Sequence, residues 1–197
     1  MALGDRSPRA DHAARTRKAI IDAALQLCAS QGFDNTTTDE IAELANVSPR
    51  TFFRYFPTKE SVFLFGEYDF IRSFAALYLA QPDDMSDLEA MRTTFVTLAP
   101  GVARLRNRIG LYLKAVDSSP TLRGRERSNH QENAATLAQA IAERRGLLTP
   151  DVDCELLAAV GLLVMERALA AWADGPSRLA LGDVLAAEFE RLEKLLS

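Results

Sequence analysis

The sequence predicts an all-α protein. Its apolar residues recur at three-and-four spacing along almost the whole chain, which is the period of an amphipathic helix. Glycine, proline and asparagine divide that pattern into segments, and no segment alternates apolar with polar residues as a half-buried strand does. With 197 residues, 48% of them hydrophobic, the chain can also build a core.

The first two helices are bounded by local signals. One spans 15–31 and stops at Gly32, a residue that favours the end of a helix. The next is short and begins after Thr37, because Thr37 and Glu40 stand three apart as in a capping box. The residues before Asp11 are predicted to be frayed.

A third helix follows after a very tight turn. Asn46 can leave the second helix in the left-handed conformation, and Ser48 with Pro49 starts the third, which Pro57 ends. Two short helices joined in this way are typical of a helix-turn-helix, whose second helix enters the major groove of DNA.

The rest of the chain predicts six more helices. The fourth is long, capped by Thr58 and spanning 61–80, and it is apolar on more than one face. The others are predicted at 86–98, at 102–117 after a break at Pro100-Gly101, and at 121–145, 151–173 and 177–196.

The charge is mildly acidic but unevenly distributed. The formal net charge is -4, and residues 1–60 hold eight cations and eight acids, so the remainder carries the whole excess. The longest uncharged apolar run, 156–165, is shorter than the ~20 residues of a membrane span. Cys28 and Cys154 show neither metal nor disulfide spacing, which predicts buried thiols in a soluble, cytoplasmic protein.

The N-terminal third resembles the DNA-binding region of the TetR family of bacterial transcriptional regulators. The resemblance covers about Arg17 to Phe65. It rests on Ile20-Ile21-Asp22-Ala23-Ala24, Gly32-Phe33, Thr37, Ile41-Ala42, Val47-Ser48, Thr51 and Tyr55-Phe56-Pro57-Thr58-Lys59-Glu60. It implies a helix-turn-helix domain at 1–57 and a helical ligand-binding and dimerisation domain at 58–197. The implied function is a repressor that binds a palindromic operator as a homodimer and leaves it when a small apolar or amphipathic ligand binds.

The resemblance also implies which residues contact DNA. The residues implied to contact backbone phosphates are Thr37, Thr38, Ser48, Tyr55 and Lys59, and those implied to contact bases are Pro49, Arg50, Thr51 and Arg54. Two positions depart from the family pattern. Phe53 replaces a common tyrosine and so lacks its hydroxyl, and Asp39 replaces a basic or polar residue, where it could accept from cytosine or face outward.

The C-terminal half faintly resembles a TetR subgroup with acyl-CoA-like ligands. The candidate ligand residues are Phe70, Phe74, Tyr78, Phe95, Leu105, Tyr112, Met165 and Trp172. Aromatic residues at helical spacing also suit a core. Similarly, Arg104, Arg106, Arg108, Arg123, Arg125 and Arg127 suit either an anion clamp or solvated faces and salt bridges.

Several alternatives stay open at this point. The N-terminal cations Arg6, Arg9, Arg15, Arg17 and Lys18 suit either an arm that reaches DNA or a solubilising tail. Small residues of the 151–173 helix suit close helix packing. Its remaining face with the last helix predicts a dimer interface, with an intramolecular core as the alternative. A helical adaptor that binds only proteins is a rival function. An enzyme with an aromatic pocket is a weaker one, because the sequence predicts no metal site, cofactor or nucleophile with a base.

Overall fold

The structure, a computed structural model, describes residues 8–63, 67–176 and 178–196. Within these residues the chain forms nine α-helices, one short 3-10 helix at Glu60–Phe63 and no strand, which confirms the all-α prediction. The α-helices are α1 (Pro8–Gln31), α2 (Thr38–Leu44), α3 (Pro49–Tyr55), α4 (Glu67–Leu79), α5 (Asp87–Ala103), α6 (Arg106–Ser118), α7 (Pro120–Arg144), α8 (Val152–Asp174) and α9 (Leu181–Leu196).

The chain forms two compact units, and the boundaries between them fall within α6 and α7. The N-terminal unit contains residues 8–63 and 111–125, and the C-terminal unit contains the other described residues. The N-terminal unit extends past residue 57 because Val62, Phe63 and Leu122 are buried in its core. The functional division at residue 57 stays a prediction.

The first helix starts earlier than expected. α1 begins at Pro8 rather than at Arg15, so the predicted frayed start is wrong from Pro8 onward; the residues before Pro8 lie outside the described part of the chain. Proline suits the first position of a helix, and Ala13 and Ala14 are strong helix formers. This polar segment is therefore helical without an apolar face of its own.

The turn between α2 and α3 follows the local signals of the sequence. The Thr37 hydroxyl accepts from the Glu40 backbone N–H, and a Glu40 carboxylate oxygen accepts from the Thr37 backbone N–H at 2.8 Å, which confirms the capping box. Asn46 has a φ of 54° and Ser48 caps α3 with Pro49 at its first turn. Each of these residues acts on the backbone within a few positions of itself, which is why the sequence predicts them.

The fourth helix is shorter than predicted. The 3-10 helix takes the place of its predicted start, residues 64–66 lie outside the described residues, and α4 begins at Glu67. The Ser61 backbone N–H donates to the Thr58 hydroxyl at 3.2 Å, and the Ser61 hydroxyl donates to the Thr58 carbonyl at 2.7 Å. Such local side-chain bonds compete with the hydrogen bonds of an α-helix.

Pro100-Gly101 does not end the fifth helix, so that prediction is wrong. α5 continues to Ala103, and the break falls at Leu105, whose N–H bonds the carbonyl of Val102 at 2.8 Å. A proline inside a helix removes one backbone hydrogen bond. Here the packing of α5 along α9, with Ala99 buried, outweighs that loss.

The C-terminal unit has its core where α5, α8 and α9 pack together. Of the small residues of α8, Ala158, Gly161 and Ala168 face this core, whereas Ala159 and Ala170 are exposed. The predicted start of the last helix, residue 177, lies outside the described residues, and α9 begins at Leu181.

α8 is long and apolar enough to span a membrane if only length and composition are counted. In the structure its face with Cys154, Leu162 and Met165 is buried in the core of the C-terminal unit. Both cysteines are buried free thiols, as predicted, and burial raises the pKa of Cys28.

Candidate nucleic-acid interface

α3 has one buried and one exposed face. Phe52 is fully buried and anchors the helix in the N-terminal core, with its ring 5.2 Å from that of Phe53 in an edge-to-face arrangement. Pro49, Arg50 and Arg54 are exposed to solvent. The helix therefore presents its two guanidinium groups outward, as a helix that reads bases in a major groove requires.

The hydroxyl groups that are predicted to contact DNA also form hydrogen bonds within the helix caps. Thr37 bonds Glu40, and the hydroxyls of Ser48 and Thr51 lie 2.9 Å apart. Each hydroxyl oxygen has two lone pairs and one hydrogen, so these bonds fix the position of the side chains without using all of their capacity. Thr38 is half-buried at the first position of α2.

Lys59 and Tyr55 have roles inside the N-terminal unit. The Lys59 ammonium donates to the carbonyls of Phe33 (2.8 Å) and Thr36 (2.7 Å), and it lies 4.1 Å from the centroid of the Phe33 ring. Two of its three donors are thus used within the fold. The half-buried Tyr55 ring lies 5.2 Å from the guanidinium carbon of Arg54. Contacts of Lys59 and Tyr55 with phosphate stay predictions.

The two positions that depart from the family pattern are both accessible. Phe53 is 50% exposed beside the reading arginines, and Asp39 is exposed on α2. Contact of either side chain with DNA stays a prediction.

A groove between α1 and α3 joins this surface to the first half of α1, including Arg15, one of the N-terminal cations whose role the sequence left open. It has a volume of about 570 Å³ and is lined from α1 by His12, Arg15, Thr16 and Ala19, and from the other side by residues 45–48, Thr51 and Arg54. We call it the α1–α3 groove. The sequence placed Arg15, Thr16 and Ala19 on the first helix but not His12, because the polar residues before Arg15 conceal the start of α1 at Pro8.

Most of the predicted ligand residues lie in a packed apolar cluster. Six belong to or pack against the core of the C-terminal unit, with Phe74 at its centre, 4.4 Å from the Phe95 ring and 5.7 Å from the Tyr78 ring. Leu105 is half-buried before α6, and Tyr112 packs against the other core, that of the N-terminal unit. Ligand binding at these residues stays a prediction.

A separate groove of about 410 Å³ lies between α4 and α7. Small and apolar side chains line much of it, including Ala75, Leu79, Ala135 and Ala140, with Gln139 and Glu143 among the polar ones. Its apolar lining suits an aliphatic chain.

Arg106, one of the six arginines suited to an anion clamp, instead binds the end of α8. Its guanidinium donates to the carbonyls of Trp172, Gly175 and Pro176 and stacks on the Trp172 ring, with 4.8 Å from its carbon to the centroid. A cation is favourable at the carboxyl end of a helix, where carbonyls lack partners. Arg123 likewise donates to a backbone carbonyl, that of Asp117.

The outer face of α8 carries exposed aliphatic side chains. Val152, Leu156 and Leu163 are between half and three quarters exposed. On α9, the buried carboxylate of Glu188 is held between two arginines, Arg167 at 3.0 Å and Arg191.

Comparisons with known protein families match both parts of the chain. Residues 20–64 match the family described as bacterial regulatory proteins, tetR family, and residues 85–197, more than half of the chain, match the MftR C-terminal domain. The regulator TcmR of Streptomyces glaucescens is 33% identical over 139 residues, which is 68% of this chain and 62% of that protein. YvkB of Bacillus subtilis is 53% identical over 47 residues, or 24% of this chain and 25% of that one. The chain thus spans less than two thirds of these relatives.

Two solved structures cover nearly the whole fold. Thermus thermophilus FadR, described as a TetR-family transcriptional repressor in complex with lauroyl-CoA, has 26% identity and a TM-score of 0.57, covering 90% of this chain and 93% of its own. The fatty acid degradation regulator FadR of Bacillus halodurans has 18% identity and a TM-score of 0.61, with 95% and 96% covered. The second likeness concerns the fold alone.

Proposed function

This chain belongs to the TetR family of bacterial regulatory proteins, and from that premise we propose that it is a ligand-responsive repressor of transcription. Regulators of this family bind DNA, usually as dimers, and respond to small molecules. We assign DNA binding to residues 1–57 and ligand binding with dimerisation to 58–197. The site of action of such a protein is the cytoplasm.

The observation that carries the proposal is the exposed pair Arg50 and Arg54 on a helix whose opposite face is fixed by Phe52. An arginine that reaches a guanine through two hydrogen bonds contributes about 1–3 kcal/mol of discrimination between bases. One such helix reads only a few base pairs. A palindromic operator, with half-sites about 34 Å apart, therefore requires two copies of the chain.

The dimer is proposed to form through α8 and α9. The aliphatic side chains of Val152, Leu156 and Leu163 lie on the face of α8 that the core does not use. A second copy would remove this apolar surface from water, at about 25 cal/mol per Å² buried.

The ligand is proposed to be acyl-CoA-like. The support is the lauroyl-CoA complex of Thermus thermophilus FadR and the apolar groove between α4 and α7. A ligand releases the operator only if it prefers the conformation that does not bind DNA, and a complete switch requires a preference of about 5.5 kcal/mol.

The DNA proposal is tested by replacing both Arg50 and Arg54 with alanine. Wild-type protein is used first to select a duplex from a random pool, and binding of that duplex is then measured by fluorescence anisotropy. We expect the double variant to lose at least about a hundredfold in affinity, since two guanidinium contacts disappear. The matched control replaces two exposed arginines of α7, Arg125 and Arg127. Equal affinity of the two double variants would show that α3 is not the reading helix, and failure of the wild type to select any duplex would refute DNA binding itself.

The ligand proposal is tested by thermal shift with lauroyl-CoA, coenzyme A and lauric acid. We expect the largest rise in unfolding temperature with lauroyl-CoA. The variant Ala135→Trp, which fills the α4–α7 groove from an exposed position, should suppress that rise, whereas Gln131→Trp on the same helix should not. No shift of the wild type with lauroyl-CoA would remove the acyl-CoA assignment.

A further inference from the structure

The α1–α3 groove has the composition of an anion site. Arg15 enters it from α1 and Arg54 from α3, together with the imidazole of His12 and the hydroxyls of Ser48 and Thr51. Among the described residues, its lining contains two guanidinium groups and no carboxylate. The exposed acids of this part of the unit, Asp11 on α1 and Asp39 and Glu43 on α2, lie outside the lining.

The α1 wall comes from one face of the helix. His12, Arg15, Thr16 and Ala19 recur at three-and-four spacing, which places them side by side. Arg17 belongs to a different face, because its guanidinium carbon lies 4.5 Å from the centroid of the Phe56 ring. Of the cations of this segment, Arg15 therefore faces the groove, Arg17 packs against the core, and Lys18 is exposed outside the groove.

The guanidinium groups of Arg15 and Arg54 carry most of the hydrogen-bond donors that the groove can offer to a ligand. The Thr16 hydroxyl already donates to the carbonyl of His12 at 3.0 Å, so it can offer only lone pairs to a ligand. Arg15 donates through Nε to the carbonyl of Asp11 at 3.3 Å, which is one of the five N–H donors that a guanidinium carries. This bond restricts the Arg15 side chain, and the contact with the Tyr55 ring restricts that of Arg54. Both side chains therefore lose less conformational entropy when a ligand binds.

We propose that the α1–α3 groove holds a backbone phosphate of the bound DNA duplex, with Arg15 as its ligand from α1, beside the positive charge of the base-reading Arg54 on α3. This inference rests on the proposed function. The groove shares Ser48, Thr51 and Arg54 with the reading helix, so a duplex that lies on α3 brings a phosphate strand alongside it. About half or more of all protein–DNA hydrogen bonds go to phosphate and sugar, and they fix the protein's register on the duplex. The first half of α1 is then part of the DNA interface.

The test compares Arg15→Ala with Lys18→Ala, which removes the same charge from an exposed position of α1 outside the groove. The probe is the duplex selected by the wild type, with a scrambled duplex beside it, and dissociation constants are measured over a range of KCl concentrations. We expect Arg15→Ala to bind both duplexes at least about tenfold more weakly. The slope of log affinity against log salt should fall by about 0.9 for each phosphate that the variant no longer neutralises. Arg15→Lys, which keeps the charge, should recover most of the slope, and Lys18→Ala should change affinity by less than about twofold.

Three outcomes would overturn the inference. Equal affinity and slope for Arg15→Ala and Lys18→Ala would show that the groove holds no phosphate. A changed preference between the two duplexes would show that Arg15 reads a base edge instead. A wild type that selects no duplex refutes the proposed function and this inference together, whereas the first two outcomes leave DNA binding by α3 intact. An unchanged unfolding temperature of Arg15→Ala confirms that the variant is folded.

Discussion

Two arginines of α3 and two arginines of the C-terminal unit have opposite roles. In the N-terminal unit, Arg50 and Arg54 are exposed on α3 and oriented to solvent. In the C-terminal unit, Arg106 and Arg144 are directed inward and bind backbone carbonyls, those of Arg106 at the end of α8 and those of Arg144 in the loop between α4 and α5. The same side chain is thus available for a partner in one unit and is part of the scaffold in the other.

Arg144 shows how much of the C-terminal unit one such residue joins. Its side chain is 6% exposed and donates to the carbonyls of Gln81 (2.9 Å), Pro82 and Met85 (2.9 Å), which form the loop between α4 and α5. It also approaches Asp87, at 3.6 Å. A loop with unpartnered carbonyls near a core is costly, and one guanidinium satisfies three of them.

Tyr78 completes this cluster. Its hydroxyl donates to the same Asp87 carboxylate at 2.7 Å, and Arg145 binds the second oxygen of that carboxylate at 2.7 Å. Burial, together with the bond to Asp87, raises the pKa of Tyr78 above its ordinary range. The raised pKa keeps the tyrosine neutral to a higher pH than an exposed tyrosine, so its hydroxyl remains a donor to Asp87.

The largest effect is expected when this scaffold role is removed. Arg144→Ala leaves three carbonyls without their donor and removes one of the two cations beside Asp87, and we expect a loss of about 3 kcal/mol or more in unfolding free energy. Arg50→Ala should change stability by less than about 0.5 kcal/mol, since its side chain is exposed on α3. Urea unfolding followed by circular dichroism measures both. A similar loss for the two variants would contradict the contrast between the units.

A smaller effect is expected from the glycines, which also differ between the units. At Gly32 the backbone φ of 82° favours glycine over any residue with a side chain. At Gly161 the reason is packing, because an added Cβ would lie 2.2 Å from the sulfur of Met91. Gly161→Ala is expected to cost about 1–3 kcal/mol by overpacking. In a Met91→Ala background the same change should cost less, since the obstacle is gone. Gly110→Ala, with no atom within 4 Å of the added carbon, serves as the control. Identical costs of Gly161→Ala in both backgrounds would count against the contact with Met91.

The smallest effect concerns a feature that both units share. Glu40 and Glu89 accept hydrogen bonds from Thr37 and Ser86 in capping boxes, and these bonds lower the pKa of both carboxyls below the ordinary 4.5. A lowered pKa gives stability that is present above the ordinary value and is lost as the pH falls through the lowered one. The unfolding temperature should therefore decline between about pH 5 and pH 3, and less steeply in Glu40→Gln and Glu89→Gln. An unaltered acid profile in both variants would contradict this role.

Local chemistry explains where prediction from the sequence succeeded. The capping box at Thr37, the left-handed Asn46 and the Ser48-Pro49 start of α3 act within a few residues, and the structure confirms all three. The end of α5 could not be predicted in that way. Pro100 favours the end of a helix, but α5 continues past it because α5 packs against α9, about eighty residues later in the chain.

The sequence by itself determined the all-α class, the helix-turn-helix and the surface on which Arg50 and Arg54 lie, because helix period and capping are properties of neighbouring residues. Only the tertiary structure decided which arginines are scaffold, that Arg106 binds the end of α8, and that Arg15 faces a groove with Arg54. The physical reason is that a guanidinium has the same charge and donors everywhere. Its role depends on whether the surrounding fold presents it with carbonyls or with open space.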